Sequence, residues 1–298
     1  MDADVRHSFV RAAGVEIHWA ELGNAASPVT PLVMLHGLQD SHLTWRRVAV
    51  ELARDRRVLM PDLPGHGLSE RPDAAYDLPW YASVTAAWLE TIGLAEADIL
   101  GHSLGGGIAQ MLLLECRDRI RRLVLAAPGG LGREITLLLR LASIPHVVER
   151  FGQPFFGTIA RLALGGVLEP SDLAELVAMN ARAGTARAFA RTVRDLVDWR
   201  GQRRMFTHRA REIRALPPIA VIWGENDRVI PAKHADALTN FVEGVHVTTL
   251  AGCGHYAHHE QPAVFAGVVR QFLDASVTPA ARIRHVDVKV PHVAKAKE

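Results

Sequence analysis

The stretch 98-DILGHSLGGG-107 passes from a short apolar run into a glycine-rich turn and then into a helical pattern. Within it, Gly101, Ser103 and Gly105 form the pattern G-x-S-x-G, which is typical of a nucleophile elbow. Such a turn projects a serine hydroxyl off the end of a strand and points the first N–H groups of a helix toward developing negative charge. Because five residues with three fixed positions recur by chance, the interpretation depends on the rest of the chain.

Strands and helices are predicted to alternate on both sides of this stretch. Continuous apolar runs indicate buried strands, and helical spacing of apolar residues indicates helices between them. Ser41 is expected to cap the first helix. Strands are predicted at 8–11, 15–22, 31–35, 57–60, 97–100, 120–127, 218–223 and 245–250, and helices at 42–54, 80–92, 104–115, 232–241 and 262–275. This alternation predicts an α/β fold with a mostly parallel sheet covered by helices on both faces.

The alternation is interrupted once, between residues 129 and 215, where helical patterns occur without a convincing strand. We therefore expect residues 1–128 and 216–276 to form an α/β core. Residues 129–215 would be an inserted helical cap over the carboxyl ends of the strands, where ligands bind in open α/β sheets. Residues 277–298 turn basic and irregular, which predicts a solvated tail.

Composition limits the classes of function. The chain has 298 residues, of which 49% are hydrophobic and 22% charged, as expected for a globular protein with a sizeable core. A net charge of +2 gives no indication of nucleic-acid binding. Cys116 and Cys253 are too few for a disulfide framework or a C-x-x-C metal site. The N-terminus lacks a signal-peptide pattern and no apolar run could span a bilayer, so we expect a cytoplasmic protein without an integral membrane segment.

Two further residues with suitable chemistry follow later strands. Asp227 comes in the loop after the predicted strand 218–223, and His255 follows a glycine-rich turn after the predicted strand 245–250. The carboxyl ends of parallel strands meet at one edge of a sheet, so both side chains are expected near Ser103. His255 would take the proton from the serine hydroxyl, and Asp227 would orient the imidazole and stabilise its charged form.

Neighbouring residues offer alternatives for these roles. Glu225 lies two residues from Asp227 and is an alternative orienter. His258 and His259 are alternative bases, although we expect them at the surface or at the rim of a pocket. The His102 side chain should point away from the serine, into packing.

The loop around Asp62 carries another recognisable carboxylate. We expect Asp62 to have a structural role, either closing a turn or pairing with an arginine.

An oxyanion hole requires two N–H donors beside the serine. The first is expected to be the backbone N–H of Leu104, directly after the nucleophile. The second is expected in the loop after His36 and Gly37, most simply the backbone N–H of Leu38.

Taken together, these segments resemble the α/β-hydrolase fold family. The resemblance implies an eight-stranded mostly parallel sheet, a helical cap, hydrolysis by serine, aspartate and histidine, and no cofactor or metal. Residues 128–134 and 199–202 are similar to a group of uncharacterised actinobacterial hydrolases. The segments that carry the family resemblance are His36–Gly37, the loop 62–69, Gly101–Gly106, the Asp227 loop and Gly254–His255.

For the reaction, the resemblance favours a hydrolase that cleaves a carboxylic ester of a small apolar or aromatic substrate through an acyl-enzyme. The alternative is a carbon–carbon bond hydrolase similar to the meta-cleavage product hydrolases, or a thioesterase. Two residues depart from the meta-cleavage group: His102 stands where that group usually has Asn, and Tyr256 where it usually has Trp. A ligand receptor with an idle triad is the non-enzymatic alternative.

The predicted cap is apolar in its first half. Residues 131–167 are rich in Leu, Ile, Val and Phe, with Phe151, Phe155 and Phe156 close together. These side chains are expected to pack the cap on the core, and lining of a substrate pocket is an equal alternative.

The second half of the cap is basic, with ten arginines from Arg182 to Arg214. Arg187, Arg191 and Arg194 share a helical face, which predicts a solvated surface paired with nearby acids. The expected partners are Asp195 and Asp198. Recognition of an anionic substrate group is the alternative. The partner is expected to be a small-molecule substrate, and a homodimer stays open.

Overall fold

An eight-stranded sheet forms the centre of the computed structural model, which describes residues 5–144, 147–166, 168–213, 215–276 and 280–283. In chain order, the strands of these segments are β1 Arg6–Ala12, β2 Val15–Leu22, β3 Leu32–Leu35, β4 Val58–Pro61, β5 Ala97–His102, β6 Ile120–Ala126, β7 Val197–Asp198, β8 Gly201–Gln202, β9 Ile219–Gly224, β10 Val242–Glu243, β11 His246–Leu250 and β12 Arg282–Ile283.

Helices connect these strands, with short 3-10 turns at His42–Trp45, Arg117–Arg119, Gln153–Phe155 and Ala210–Glu212. The α-helices are α1 Arg46–Leu52, α2 Leu78–Thr91, α3 Leu104–Glu115, α4 Leu137–Ala142, α5 Val147–Phe151, α6 Phe156–Leu164, α7 Pro170–Asn180, α8 Thr185–Leu196, α9 Phe206–Arg209, α10 His234–Phe241, α11 Ala257–Glu260 and α12 Pro262–Asp274.

The strand order of the large sheet is β1-β2-β4-β3-β5-β6-β9-β11. The six strands from β4 to β11 run parallel, and β2 is antiparallel to both β1 and β4. This confirms the predicted eight-stranded, mostly parallel sheet. Parallel pairing brings the carboxyl ends of β3, β5, β9 and β11 to one edge, where loops carry the candidate site residues.

Both faces of the sheet are covered by apolar packing. Along β3, Val33 belongs to one hydrophobic cluster and Met34 to the other, as the alternation of side chains along a strand requires. Trp88 of α2 packs in the first cluster, and Phe265 of α12 packs in the second. The buried strands therefore appear in the sequence as continuous apolar runs.

The predicted element boundaries hold closely in this core. Helix α3 spans the predicted residues 104–115. The Ser41 hydroxyl accepts a hydrogen bond from the Leu43 N–H at 3.3 Å, as expected of a cap, but the first turn it caps is a 3-10 turn before α1. No helix among the described residues is long and apolar enough to cross a membrane.

The region between β6 and β9 is mainly helical, but it also contains a strand pair that the sequence did not predict. Val197 pairs with Gln202 and Asp198 with Gly201 in an antiparallel hairpin. Two-residue strands are too short to show a period of two, so no pattern reveals them. The division into core, cap and tail stays a prediction.

A second missed strand pair involves the predicted tail. Val242 pairs with Ile283 and Glu243 with Arg282, so the chain is not irregular at these two tail residues. The Ala281 N–H also donates to the Pro217 carbonyl at 3.3 Å. The other arginine and the lysines of this tail, Arg284, Lys289, Lys295 and Lys297, lie outside the described residues.

Candidate active site

Ser103 occupies the sharp turn between β5 and α3. Its φ of 51° and ψ of −110° lie in a region that L residues rarely adopt, so the backbone is strained. Three backbone hydrogen bonds hold it there. The Ser103 N–H donates to the Ala126 carbonyl at 3.0 Å, and the Ser103 carbonyl accepts from the N–H groups of Gly107 at 3.1 Å and Gly129 at 3.0 Å.

The loop after β3 lies tightly against this turn. A Cβ at Gly105 would stand 2.2 Å from the Leu35 carbonyl oxygen, and a Cβ at Gly37 would stand 2.9 Å from His102 Nδ1. Only glycine allows such approaches. The loop that carries Leu38 is thereby brought beside Ser103.

Asp227 and His255 are joined by a hydrogen bond. His255 Nδ1–H donates to Asp227 Oδ2 at 2.7 Å, and both side chains are buried. The carboxylate also accepts the N–H groups of Val229 at 2.8 Å and Ile230 at 3.0 Å, and the indole N–H of Trp223 at 3.0 Å. These donors fix the carboxylate, and the carboxylate fixes the His255 tautomer so that Nε2 can accept a proton.

His255 is attached to the elbow through its backbone. His102 Nε2–H donates to the His255 carbonyl oxygen at 3.0 Å, and the two rings lie 4.8 Å apart between centroids. Burial holds the pKa of His102 well below its ordinary value, so His102 is neutral and packed as predicted. Among the described residues, however, no hydrogen bond joins Ser103 Oγ to the His255 imidazole. Bonds of this kind are often long before a substrate binds.

A cavity of about 50 Å³ lies over Ser103. Leu38 and Leu104 line it together with the serine, and neither backbone N–H donates to another described residue. Two N–H groups are thus available on residues next to the hydroxyl. The remaining lining residues are mostly apolar: Leu78, Gly107, Gly129, Gly130, Ile135, Leu139, Val193, Leu196, Val197, Gln202, Arg204 and Ile230.

A larger cavity of about 270 Å³ adjoins the first. The two share Leu78, Gly107, Gly130 and Arg204 as lining residues. Its other walls come from α2, α3 and the segment 203–213. The two cavities therefore lie next to each other along α3.

Comparison with known proteins agrees with the fold. A family model described as the alpha/beta hydrolase fold matches residues 30–262.

The chain belongs to the α/β-hydrolase family.

This α/β hydrolase is similar to several other proteins. An uncharacterized protein of Mycobacterium tuberculosis is 31% identical over 82% of this chain and 75% of its own length. The 2-hydroxymuconate semialdehyde hydrolase of Pseudomonas sp. (strain CF600) is 34% identical over 82% of this chain and 86% of its own. The solved structure of a hydrolase from Pseudomonas aeruginosa PA01 is 27% identical, with a TM-score of 0.69, and covers 91% of this chain and 99% of that chain.

Among the described residues of the α/β hydrolase, none of the alternative residues hydrogen-bonds Asp227 or His255. Glu225 Oε2 accepts the Gly252 N–H at 3.2 Å and makes no hydrogen bond to a described histidine. His258 and His259 are buried, so their predicted surface or rim positions are wrong. Helix α11 turns both rings inward, where each Nε2 hydrogen-bonds Thr44 Oγ1, at 2.9 and 2.8 Å. Burial lowers the pKa of His259 to about 4, and it lowers the His258 pKa further below its ordinary value.

Asp62 closes a turn, as predicted, but its side-chain partners are histidines rather than an arginine. Its buried carboxylate accepts His18 Nδ1–H at 2.7 Å, the His42 N–H at 2.7 Å and the Leu68 N–H at 2.8 Å. Burial alone would raise the pKa of Asp62. The charge of His42 and the hydrogen bonds from both histidines outweigh burial and hold that pKa well below its usual range.

The arginines of α8 have partners other than those predicted. Arg191 Nε and Arg194 Nη2 donate to Glu149 at 3.0 and 2.7 Å, and Arg187 Nη2 donates to the Arg71 carbonyl at 2.9 Å. Glu149 is distant in sequence, so only the folding of α5 onto α8 reveals this pairing.

Arg204 is the arginine that lines both cavities. It is held by Asp195, which accepts its Nε–H at 2.9 Å. Asp198, the other predicted partner, instead accepts the Arg200 N–H at 2.7 Å. Arg214 lies outside the described residues.

The apolar first half of the predicted cap divides between three environments. Ile135 and Leu139 line the cavity over Ser103. Phe156 is buried and packs edge-on against Phe189. Phe151 and Phe155, however, are 65% and 60% exposed, so neither packs the cap as expected. Val167 lies outside the described residues.

Sequence patterns did not indicate two polar residues that lie near the candidate active site. Gln202 is buried at the cavity wall; its Oε1 accepts the Gly130 N–H at 2.8 Å and its Nε2–H donates to the Gly132 carbonyl at 2.7 Å. Asp40 is buried behind the Leu38 loop, where burial raises its pKa to about 7. Both stand among other polar residues, with Arg203 after Gln202 and with Gln39 and Ser41 beside Asp40, so the sequence carried no signal for either.

Proposed function

We propose that this α/β hydrolase cleaves carboxylic esters of small apolar or aromatic substrates through an acyl-enzyme on Ser103. The observation that carries the proposal is the Asp227–His255 hydrogen bond of 2.7 Å beside the strained elbow serine. A buried, fully bonded carboxylate behind an imidazole is the arrangement that a serine needs for deprotonation. Ser103 itself lines the cavity, which supports the assignment.

The proposed reaction has two halves. His255 Nε2 takes the hydroxyl proton while Ser103 Oγ attacks the ester carbonyl, and the N–H groups of Leu38 and Leu104 stabilise the oxyanion. The proton then passes from His255 to the departing alcohol as the C–O bond breaks, which leaves the acyl group on Ser103. Water, deprotonated by His255, attacks the acyl carbonyl, and His255 returns the proton to Ser103 Oγ as the acyl C–O bond breaks and the acid is released.

The lining of the cavity favours an uncharged ester over an acidic substrate. Its polar side chains besides Ser103 are Gln202 and Arg204, and both are engaged: Gln202 with backbone groups and Arg204 with Asp195. A substrate carboxylate would therefore meet a guanidinium whose charge is already compensated.

The alternative is hydrolysis of a carbon–carbon bond. It is favoured by the relative whose printed name is 2-hydroxymuconate semialdehyde hydrolase, which is 34% identical to this chain. The two reactions share the proposed serine chemistry and differ in the bond that breaks, so substrate tests separate them. A thioesterase would use the same groups.

A substrate panel tests the proposal. Purified protein is given p-nitrophenyl acetate, butyrate and octanoate, a matched thioester, and a vinylogous diketone acid, with Ser103→Ala as the control for background hydrolysis. The proposal expects kcat/KM to be highest for an oxygen ester, with the larger adjoining cavity favouring acyl chains longer than acetyl. Faster cleavage of the diketone acid would assign the carbon–carbon reaction instead. No turnover and no labelling by a fluorophosphonate would favour a receptor with an idle triad.

A further inference from the structure

Exposed apolar side chains are concentrated on helices α4 to α6. Eight of the thirteen large apolar side chains exposed among the described residues fall between residues 137 and 162. Leu138 is 70% exposed and Leu162 is 81% exposed. Such a concentration is unusual on the surface of a monomer and marks an interaction site. We call this set the apolar face; its residues are Leu137, Leu138, Leu141, Ile144, Phe151, Phe155, Ile159 and Leu162.

These side chains are directed outward from more than one element. Ile159 and Leu162 are three positions apart and share one side of α6, whereas Phe151 ends α5 and Phe155 lies in the 3-10 turn before α6. Phe156 and Ala160, on a neighbouring side of α6, are buried. Helix α6 thus has one apolar side packed in the protein and another with nothing from the described residues covering it.

Positive charge accompanies the apolar face. Arg140, Arg150 and Arg161 lie among its residues, and none forms an ion pair with a described residue. The Arg150 guanidinium lies over the Phe151 ring, 5.9 Å from its centroid. Glu149 is the one acidic residue between positions 137 and 162, and it is bound by arginines of α8.

This charge decides between the surfaces that could cover the face. In a symmetric pair of chains, the same patch meets itself, so the three arginines of one chain would approach those of the other. Anionic lipid headgroups instead attract the arginines, while the leucines and phenylalanines enter the acyl region. We propose that the apolar face docks this protein on an anionic membrane surface.

Docking there would also bring the candidate active site close to the membrane. Leu139 of α4 lines the cavity over Ser103, while Leu138 on the same helix belongs to the apolar face. Esters dissolved in the lipid would then enter the cavity past α4. This part of the proposal rests on the proposed ester hydrolysis, whereas docking itself does not.

Co-sedimentation of the full chain with vesicles tests the docking. Vesicles of phosphatidylcholine alone are compared with vesicles of equal parts phosphatidylcholine and phosphatidylglycerol. Wild type is expected to bind the anionic vesicles. The double variant Leu138→Ser with Leu162→Ser should bind at least about tenfold more weakly. The double variant Arg150→Gln with Arg161→Gln should lose about thirtyfold of its affinity for anionic vesicles.

Controls separate docking from folding and from catalysis. Phe9→Ser removes an exposed phenylalanine elsewhere and should bind as wild type does. Ser103→Ala should also bind vesicles as wild type does. The docking result therefore does not depend on whether the proposed hydrolysis occurs. Equal binding to both vesicle types, or none by wild type, would overturn the proposal. A concentration-dependent dimer that the Leu138 and Leu162 changes abolish would assign the face to a second copy instead.

Discussion

The Asp227 carboxylate has three hydrogen-bond donors besides His255, so its position does not depend on the imidazole. It can therefore remain in place while His255 gains and loses a proton. There the carboxylate stabilises the imidazolium that forms when the serine is deprotonated. At the residue scale, the proposed mechanism depends on this fixed charge.

Removing either end of the proposed proton path should abolish turnover. We expect Ser103→Ala and His255→Ala each to lower kcat for a p-nitrophenyl ester by at least about 10³-fold, because the hydroxyl is inert without its base. The double variant should lose little more than either single one, since the residues act as a unit. Steady-state kinetics on folded variants measure this, and a rate near that of wild type in either single variant would refute the assignment.

Asp227→Asn should lower kcat comparably or somewhat less. The amide can donate to His255 Nδ1 and so favour the wrong tautomer, while the loop hydrogen bonds change little. A kcat at neutral pH equal to that of wild type would contradict the orienting role.

Asp40 predicts a pH dependence of stability. Burial raises its pKa to about 7 in the folded protein, whereas an aspartate in the unfolded chain titrates near 3.9. Between these values, the folded state holds a proton that the unfolded state releases, so the free energy of unfolding falls as pH rises from about 4 to about 7. The contribution is at most about 4 kcal/mol.

Asp40→Asn removes this ionisation. Denaturant unfolding of wild type and variant from pH 4 to 8 should therefore show a gap that grows in favour of the variant with rising pH. Asp118→Asn, at an exposed position, is the matched control and should run parallel to wild type. A constant difference between Asp40→Asn and wild type would show that the carboxyl is already ionised in the folded protein.

At the scale of elements, the elbow depends on how closely α3 approaches β3. Gly105 and Gly107 lie on the same helix two positions apart but in different surroundings. A Cβ at position 105 would stand 2.2 Å from the Leu35 carbonyl oxygen, whereas one at position 107 would be 3.5 Å from the flexible Leu78 side chain.

These two glycines form a matched pair of substitutions. Gly105→Ala should push α3 away from β3, lower stability by a few kcal/mol and lower esterase activity as well. Gly107→Ala should leave stability unchanged or raise it by up to about 1 kcal/mol, because alanine is the better helix former. Chemical denaturation measures both. Equal effects of the two changes would mean that the close approach does not position the elbow.

Elements whose apolar residues recur regularly could be predicted, and short or irregular ones could not. Helix α3 and the parallel strands follow from their own apolar patterns. Helix α11 has four residues, so the sequence could not reveal that His258 and His259 turn inward toward Thr44. Glu149 was missed as the partner of Arg191 for a related reason, because long-range ion pairs leave no local pattern.

At the scale of the whole molecule, the sequence could predict the edge of the sheet at which the site forms. Six parallel strands bring the loops of Ser103, Asp227 and His255 to one edge whatever the details of those loops. The sequence could not predict that Phe151 and Phe155 are exposed. The pattern of apolar residues in the predicted cap is the same whether those residues are buried or exposed. Burial depends on what the rest of the chain covers.

The central claim is that Ser103 is the nucleophile and that His255 activates it. A fluorophosphonate probe, followed by mass spectrometry of peptides, tests it most directly, because the probe reacts with an activated serine whatever the natural substrate. The account predicts one phosphonyl group per chain on the peptide that contains Ser103, none in Ser103→Ala, and much slower labelling in His255→Ala. A wild-type protein that stays unlabelled, or that carries the label on another residue, would contradict it.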